Sequence, residues 1–374
     1  MKIISVIGTR PNIIKVAPFL NAIKNLNNQN IVSILVHTGQ HYDENLSNNN
    51  IKVLEINKID YSLNIGSDTN ANQIAKTILS FDDVLINEKP DWVVVFGDVN
   101  ATVACAIATK CRGIKLVHVE AGIRSFDNNM QEEMNRILCD SIADVLIAPD
   151  EFAVENLIKQ GIPQDKIKML GNIMIDSLDR HIEQAKLMDL YNILHNNKVT
   201  ETNLNIKNFY LITLHRDTNV DSLEFLKLFI EFLKNHVSRD TFVWIMHPRT
   251  QKNLHKFDLW NELLQLKNVC LLNPVSYIEM LALQTKTLGI ITDSGGIQEE
   301  ACVLGIPFLL LRENTERPLT LIKNGGTGIL FGTDVSEIQN GFEKLKKSRV
   351  TPFRPTFWDG KTAVRIVESL FAHF

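Results

Sequence analysis

Short runs of apolar, often β-branched residues alternate with segments of helical spacing along almost the whole 374-residue chain. Trp92–Phe96, for example, is apolar throughout and ends at Gly97, and Ala101–Lys110 follows it with the spacing of a helix. Strands that are apolar on both faces are typical of parallel sheets covered by helices. We therefore predict an α/β fold.

The strand–helix series begins twice, which indicates two domains. The first series ends with a predicted strand at Ile167–Leu170, and the second starts with one at Phe209–Leu214. A predicted helix at Asp176–Leu194 and a polar loop at His195–Asn208 lie between the two series. We predict two Rossmann-like, doubly wound domains facing a central cleft, because ligands of such sheets bind outside the carboxyl ends of the strands.

The bulk properties argue against several kinds of partner. The formal net charge is only −4, so we do not expect the chain to bind nucleic acid. The five cysteines include no C-x-x-C pair, which favours simple packing in a reducing compartment. The first apolar run, Ile3–Ile7, is interrupted too early for a signal peptide, and no run approaches the ~18 residues of a membrane span. We expect a soluble, cytoplasmic protein without a membrane partner.

A glycine-containing stretch, Thr292–Glu300, lies between a predicted strand at Thr287–Ile291 and a predicted helix at Gln298–Leu304. Unpaired backbone N–H groups at such a helix start favour anions, and adjacent glycines let an anion approach the backbone. This pattern predicts phosphate binding by Ser294, Gly295 and Gly296, with Glu300 placed to accept hydrogen bonds from a ribose. The same residues are also consistent with an ordinary helix cap.

Charged residues follow several predicted strands of the first domain. Arg10 and Lys15 come after the first strand, where cations at a helix start are unfavourable unless they have a function. Asp98 and Glu120 follow two strands that we expect to be neighbours, and paired carboxylates are common in acid–base chemistry. Asp98 alone could serve as a helix cap. Glu132 and its neighbour at 133 could simply interact with the helix dipole.

In the second domain, two predicted strands end in histidines, His215 and His247. A lone histidine is usually a packed or surface residue, but two at corresponding strand ends favour a function. They lack the close ligand spacing of a zinc site, so we predict no metal. No G-x-G-x-x-G follows the first strand and no P-loop motif occurs, so neither a nicotinamide cofactor nor a P-loop nucleotidase is indicated.

Taken together, these segments resemble the UDP-N-acetylglucosamine 2-epimerase family along nearly the whole chain. The matching segments are Gly8–Pro11 with Lys15 and Pro18, Thr38–His41, Gly97-Asp98, His118–Gly122 with Arg124, Glu132–Arg136, Gly171-Asn172, His215-Arg216, His247-Pro248, Thr292–Ala301, Thr315–Pro318 and Asp359–Lys361. Such an ordered series is far more specific than any single motif.

The resemblance implies a GT-B fold, a homodimer, and no need for a metal or nicotinamide. In this family the last helix commonly returns to the first domain. We therefore assign residues 1–172 and 360–374 to an N-terminal domain with the catalytic carboxylates, and 173–359 to a C-terminal UDP-binding domain.

The resemblance also implies a reaction, in which UDP is eliminated to leave a 2-acetamidoglucal and is then added back after protonation on the other face. Asp98, Glu120 and Glu132 match the family's proton-transfer carboxylates, and His215 matches the residue that assists the leaving group. Arg10 and Lys15 would neutralise negative charge. The implied substrate contacts are Ser294, Gly295 and Gly296 to the diphosphate, Glu300 to the ribose, Arg317 to the nucleotide, and the backbone around Val275 and Met280 to the uracil.

The chain departs from the family pattern at three places. Asn12 and Thr218 stand where the family usually has glutamate, and Gln131 replaces a common proline.

The function that we favour is that of a non-hydrolysing epimerase that interconverts UDP-N-acetylglucosamine and UDP-N-acetylmannosamine. The alternatives are a 2-epimerase of a diacetamido-uronate or 6-deoxy sugar, a hydrolysing 2-epimerase, a GT-B glycosyltransferase and a UDP-sugar-binding protein.

Overall fold

The computed structural model describes residues 1–26, 30–39, 53–56, 58–199 and 206–371. The chain forms two compact units, the first made of residues 1–180 and 355–374 and the second of residues 181–354. The division between the two units lies inside a continuous helix, Ile173–Leu187. The beginning of that helix belongs to the first unit because Asp176 accepts hydrogen bonds from the backbone N–H groups of Thr362 and Ala363.

The first unit contains a seven-stranded sheet in which every described pairing is parallel. Its strands are β1 (Lys2–Ile7), β2 (Val32–His37), β3 (Tyr61–Ser62), β4 (Trp92–Phe96), β5 (Lys115–Val119), β6 (Val145–Ala148) and β7 (Ile167–Met169). The strand order is β3-β2-β1-β4-β5-β6-β7. The chain therefore reverses direction across the sheet between β1 and β4, which is where doubly wound sheets bind their ligands.

Helices cover this sheet. They are α1 (Arg10–Asn25), α2 (Asn70–Glu88), α3 (Asn100–Cys111), α4 (Gln131–Ile142), α5 (Glu151–Lys159), α6 (Ile173–Leu187) and, from the C-terminal segment, α15 (Thr362–Phe371). Helix α15 packs against α1, so the last helix lies in the first unit, as the resemblance to the family implied. None of the helices in the described part of the chain is long and apolar enough to cross a membrane.

The second unit repeats the same topology with six parallel strands in the order β10-β9-β8-β11-β12-β13. The strands are β8 (Tyr210–Leu214), β9 (Phe242–Met246), β10 (Val269–Leu272), β11 (Gly289–Thr292), β12 (Phe308–Leu310) and β13 (Gly328–Leu330). The helices are α7 (Leu190–Asn197), α8 (Asp217–Val220), α9 (Leu223–Lys234), α10 (Pro248–Lys256), α11 (Trp260–Leu264), α12 (Tyr277–Lys286), α13 (Gly295–Leu304) and α14 (Ile338–Lys347). The order reverses between β8 and β11, so His215 and Asp293 follow the two strands at the reversal point.

Two sequence expectations need correction here. The helix expected at Asp176–Leu194 is interrupted, because Asp189 caps a new helix by accepting a hydrogen bond from the backbone N–H of Tyr191. The helix expected to begin at Gln298 starts at Gly295, so the glycines form its first turn.

Candidate functional site

In the first unit, a glycine turn connects β4 to the residues expected to act on protons. Strands β4 and β5 end in register, and the Gly97 N–H donates to the Val119 carbonyl oxygen at 3.0 Å. Gly97 has a φ of +67°, which favours glycine. A Cβ at this position would lie 2.9 Å from Lys15 Nζ and 3.2 Å from Glu120 Oε2. A side chain at residue 97 would therefore press against both of these charged groups.

Glu120 and Lys15 form a buried ion pair beside this turn. The Lys15 ammonium donates to Oε2 of Glu120, and the two residues are only 7% and 4% exposed, respectively. Glu120 has a φ of +72°, an uncommon conformation for a residue with a side chain, and such strain clusters at functional sites. Lys15, which the sequence placed among the phosphate-neutralising cations, is thus engaged with Glu120.

Asp98, the residue after Gly97, is held by an arginine from α4. Arg136 Nη1 donates to Asp98 Oδ2 at 2.5 Å, and its Nη2 donates to Glu133 Oε2 at 2.8 Å. The Asp98 backbone carbonyl accepts from Asn135 Nδ2 at 2.8 Å. The two carboxylates predicted at adjacent strand ends therefore each have a separate cation, Lys15 for Glu120 and Arg136 for Asp98.

Of the two glutamates that begin α4, Glu133 has the supporting role. It accepts hydrogen bonds from the backbone N–H and the hydroxyl of Ser125 as well as from Arg136. Burial would raise the pKa of Glu133, but these donors hold the pKa below its usual value. Glu132 is half-buried, and its side chain makes no hydrogen bond or ion pair to the described residues. The two adjacent glutamates thus differ in their surroundings, since Glu133 is engaged with Ser125 and Arg136.

The other expectations for the first unit concern its N-terminal motif. Arg10 begins α1, but its side chain lies outside the described part of the structure, as do Gln40 and His41. Asn12, which replaces the family's usual glutamate, is buried and donates from Nδ2 to the Phe96 carbonyl oxygen at 2.8 Å. It thereby connects the start of α1 to the end of β4.

In the second unit, His215 is oriented by a buried carboxylate. His215 Nδ1 is 2.9 Å from Asp293 Oδ1, and the side chain of His215 is 38% exposed whereas that of Asp293 is fully buried. Asp293 also accepts the backbone N–H groups of His215 and Arg216 and the amide of Asn219. Burial would raise the pKa of Asp293, but His215 and these N–H donors keep the pKa below its usual value. An ionised Asp293 fixes the hydrogen of His215 on Nδ1 and leaves Nε2 for chemistry.

Ser294, Gly295 and Gly296 are half-buried at the start of α13, with Ser294 as the N-cap residue. The serine side chain makes no capping hydrogen bond, so the first turn keeps its backbone N–H groups for another acceptor. A Cβ on Gly295 would lie 2.8 Å from Arg317 Nη1, so glycine allows the guanidinium to approach the helix start. This arrangement of N–H groups and a cation suits an anion.

Arg317 belongs to a buried cluster of arginines and glutamates. It donates to Glu299 Oε1 at 2.6 Å and to Glu316 Oε1 at 2.7 Å. Glu316 also pairs with Arg312 at 2.7 Å and, more distantly, with Arg216 at 3.8 Å. Each of these guanidinium groups is paired with a carboxylate, and that of Arg317 also lies close to the start of α13.

The remaining predicted contacts lie on α12 and α13. Glu300, one turn into α13, is buried and accepts a hydrogen bond from Gln284 Nε2 at 2.5 Å. Val275 is buried just before α12, and Met280 is half-buried in its first turn. Among the residues that the structure describes, no three histidine, cysteine, aspartate or glutamate side chains are grouped as metal ligands would be.

The family model described as UDP-N-acetylglucosamine 2-epimerase matches residues 24–371. The chain belongs to the UDP-N-acetylglucosamine 2-epimerase family. It is therefore an epimerase, and the α/β fold with two Rossmann-like units predicted from the sequence is confirmed as the GT-B fold of this family.

Several named relatives match along most of their length. The UDP-N-acetylglucosamine 2-epimerase of Methanococcus maripaludis is 40% identical over 373 residues, which are 99% of this chain and 98% of the relative. The UDP-2,3-diacetamido-2,3-dideoxy-D-glucuronate 2-epimerase of Pseudomonas aeruginosa is 35% identical over 84% of each chain. The crystal structure of the Methanocaldococcus jannaschii UDP-GlcNAc 2-epimerase in complex with UDP-GlcNAc and UDP matches with a TM-score of 0.89 and 37% identity, covering 100% of both chains.

The structure also places beside His215 a residue that the sequence did not single out, Asp293. Asp293 lies directly after β11, a strand-end position like those of Asp98 and Glu120, and this position could have indicated its role. The support of His215 by Asp293 does not involve Thr218, whose backbone N–H donates to Asp217 Oδ1 at 2.8 Å. The replacement of the family's glutamate by Thr218 therefore leaves His215 oriented.

Proposed function

We propose that this chain is a non-hydrolysing 2-epimerase that interconverts UDP-N-acetylglucosamine and UDP-N-acetylmannosamine. The observation that carries the proposal is the pairing of each strand-end carboxylate, Asp98 and Glu120, with a separate cation beside one glycine turn. Family membership and the similarity to a structure with UDP-GlcNAc and UDP bound support the same reaction. We further propose the two domains of the sequence analysis and a homodimer, as expected for this family.

In the first unit, Asp98, Glu120 and Glu132 transfer protons at sugar C2. In the elimination, a carboxylate takes the C2 proton, the C1–O bond breaks with its electron pair on UDP, and a C1=C2 double bond remains. In the return step, an acid delivers a proton to the opposite face of C2, and the UDP oxygen bonds to C1 again. Lys15 holds Glu120 in place, and Arg10 neutralises the charge of the departing diphosphate.

In the second unit, His215 assists the leaving group, with Asp293 fixing its orientation. Ser294, Gly295 and Gly296 bind the diphosphate at the start of α13, where the N–H groups and the helix dipole favour it. Glu300 accepts from the ribose, and Arg317 contacts the nucleotide. The backbone near Val275 and Met280 binds the uracil, which needs no particular side chain.

Incubation with UDP-N-acetylglucosamine in deuterated water tests this function. The epimerase must incorporate deuterium at C2 while UDP stays linked to the sugar, because the C2 proton is exchanged before UDP returns. Free UDP accumulating together with N-acetylmannosamine identifies a hydrolysing enzyme. Absence of exchange leaves a glycosyltransferase or a binding protein and contradicts the proposal.

The variant Asp98→Asn should abolish this exchange and leave UDP affinity within about tenfold, a difference of ~1.4 kcal/mol. The matched control is Asp82→Asn, because Asp82 also pairs with an arginine, Arg112, but on the surface of the first unit. The control should exchange C2 hydrogen at the rate of the wild type. Near-normal turnover in Asp98→Asn removes Asp98 from the catalytic set.

A second candidate substrate is a UDP-diacetamido-uronate, because the Pseudomonas aeruginosa relative is named for such a sugar. The same exchange assay, run with this sugar at equal concentration, compares the two values of kcat/KM directly. A larger value for the uronate makes it the substrate of this chain.

A further inference from the structure

His118, in the middle of β5, is completely buried, and both of its ring nitrogens face oxygen atoms. Nδ1 is 2.6 Å from Asp140 Oδ1, and Nε2 is 2.8 Å from the carbonyl oxygen of Gly97. A neutral imidazole has one N–H donor and one acceptor nitrogen, whereas an imidazolium has two donors. Because a carbonyl oxygen can only accept, Nε2 must carry a hydrogen.

The other hydrogen is placed by the surroundings of Asp140. The second oxygen of Asp140 accepts from the Gly122 backbone N–H at 3.0 Å and from the guanidinium of Arg124. These two donors, a backbone N–H and a guanidinium, favour the ionised form of Asp140 without any contribution from His118. Since an ionised carboxylate only accepts, the hydrogen between Asp140 and His118 lies on Nδ1.

We propose that His118 is a buried imidazolium that positions Asp98 for proton transfer, a role that rests on the proposed function. The carbonyl oxygen that His118 holds belongs to the peptide that joins Gly97 to Asp98. Fixing this oxygen fixes the peptide plane from which the Asp98 side chain extends. Gly97 adopts φ +67° and Asn135 holds the next carbonyl, so both sides of Asp98 are restrained. His118 contacts no substrate in this role and is a positioning residue.

A joint neutron and X-ray structure of deuterated wild-type crystals at about pH 7.5, roughly one unit above the ordinary histidine pKa, tests the protonation state. We expect deuterium on both Nδ1 and Nε2 of His118. The control is His236, which is also buried. Its Nδ1 is 2.8 Å from the Phe232 carbonyl oxygen, and its ring packs against phenylalanines rather than a carboxylate. We therefore expect a single deuterium on His236. A single deuterium on His118, deuterium on Asp140, or a doubly deuterated His236 overturns the assignment.

The positioning role is tested by His118→Asn beside His236→Asn, because the asparagine amide takes the place of Nδ1 at Asp140 and leaves no donor to the Gly97 carbonyl oxygen. A small displacement of a reacting group can cost about a hundredfold in rate, so we expect kcat for C2 exchange to fall about ten- to a hundredfold in His118→Asn. KM and UDP affinity should stay within about twofold, and His236→Asn should keep the wild-type kcat. Wild-type kcat in His118→Asn overturns the role.

The failures of the two proposals can be told apart. A wild-type enzyme that exchanges no C2 hydrogen contradicts the proposed function, and the neutron structure then still decides the protonation of His118. If His118→Asn does not fold, the neutron structure decides the protonation state, and His118→Gln decides the positioning role: its amide can donate in the place of Nε2, so its kcat should stay within about tenfold of the wild type, and a larger loss overturns the role.

Discussion

Replacing Lys15 with methionine removes one partner of the buried pair at similar side-chain length. Lys15 and Glu120 are 7% and 4% exposed, so water solvates neither charge well. Removing one partner of a buried ion pair typically costs about 3–5 kcal/mol, because the other charge remains buried. We expect Lys15→Met to lower the free energy of unfolding of the first unit by about this amount.

The double variant Lys15→Met/Glu120→Gln removes both charges and should be more stable than the sum of the two single changes predicts. We expect a coupling energy of about 2 kcal/mol between the two positions. Native-state hydrogen exchange measures the stability of each unit separately, with peptides from β4 and β5 reporting on the first unit. Peptides from β8 and β9 are the internal control, because they belong to the second unit and should not change.

Two results would refute this reasoning. The first is a decrease of less than about 1 kcal/mol in the free energy of unfolding of Lys15→Met, which means that the fold does not depend on this cation to compensate the charge of Glu120. Additive losses in the double variant mean that the two side chains do not stabilise each other. Either result also removes the argument that Lys15 holds Glu120 for catalysis.

Three further predictions concern other positions. In Asp293→Asn an amide N–H faces His215 Nδ1 and moves the ring hydrogen to Nε2, so C2 exchange should slow by at least about a hundredfold; wild-type exchange contradicts the role of Asp293. Burial raises the folded pKa of Asp176 from 3.8 to about 6, so the native state binds the proton more tightly and this group makes stability fall as pH rises through that window. Urea unfolding should show the stability difference between the wild type and Asp176→Asn changing by about 3 kcal/mol over that range; a constant difference contradicts the assignment. Gly295→Ala places a methyl group 2.8 Å from Arg317 Nη1 and should weaken UDP binding about tenfold by titration calorimetry; unchanged affinity removes this helix start from the UDP site.

The buried strands could be predicted from the sequence because both of their faces are covered. Trp92–Phe96, Val145–Ala148 and Phe242–Met246 are continuous apolar runs, and the structure has the same bounds. Strand β13, Gly328–Leu330, was missed because three residues are too few to show a pattern. Helix α10, Pro248–Lys256, was missed because most of its residues are polar, although His247 caps it and Pro248 suits its first turn.

The strand-end residues of the site could be found in the same way, because parallel strands bring their carboxyl ends to one edge of a sheet. The partners of these residues could not. Arg136 follows Asp98 by 38 residues and Glu120 follows Lys15 by 105, and only the fold brings each pair together. The separate roles of the two adjacent glutamates at 132 and 133 likewise depend on the direction in which each side chain leaves α4. A single sequence does not contain that information for a residue in the first helical turn.

The central claim is that the bond between C1 and the UDP oxygen breaks and forms again without loss of UDP. It is tested most directly with UDP-N-acetylglucosamine labelled with oxygen-18 in the bridging position, followed by phosphorus NMR. If UDP leaves and returns, the label must spread to the non-bridging oxygens of the β-phosphate while no free UDP accumulates. A label that stays in the bridging position while C2 is inverted contradicts the elimination mechanism.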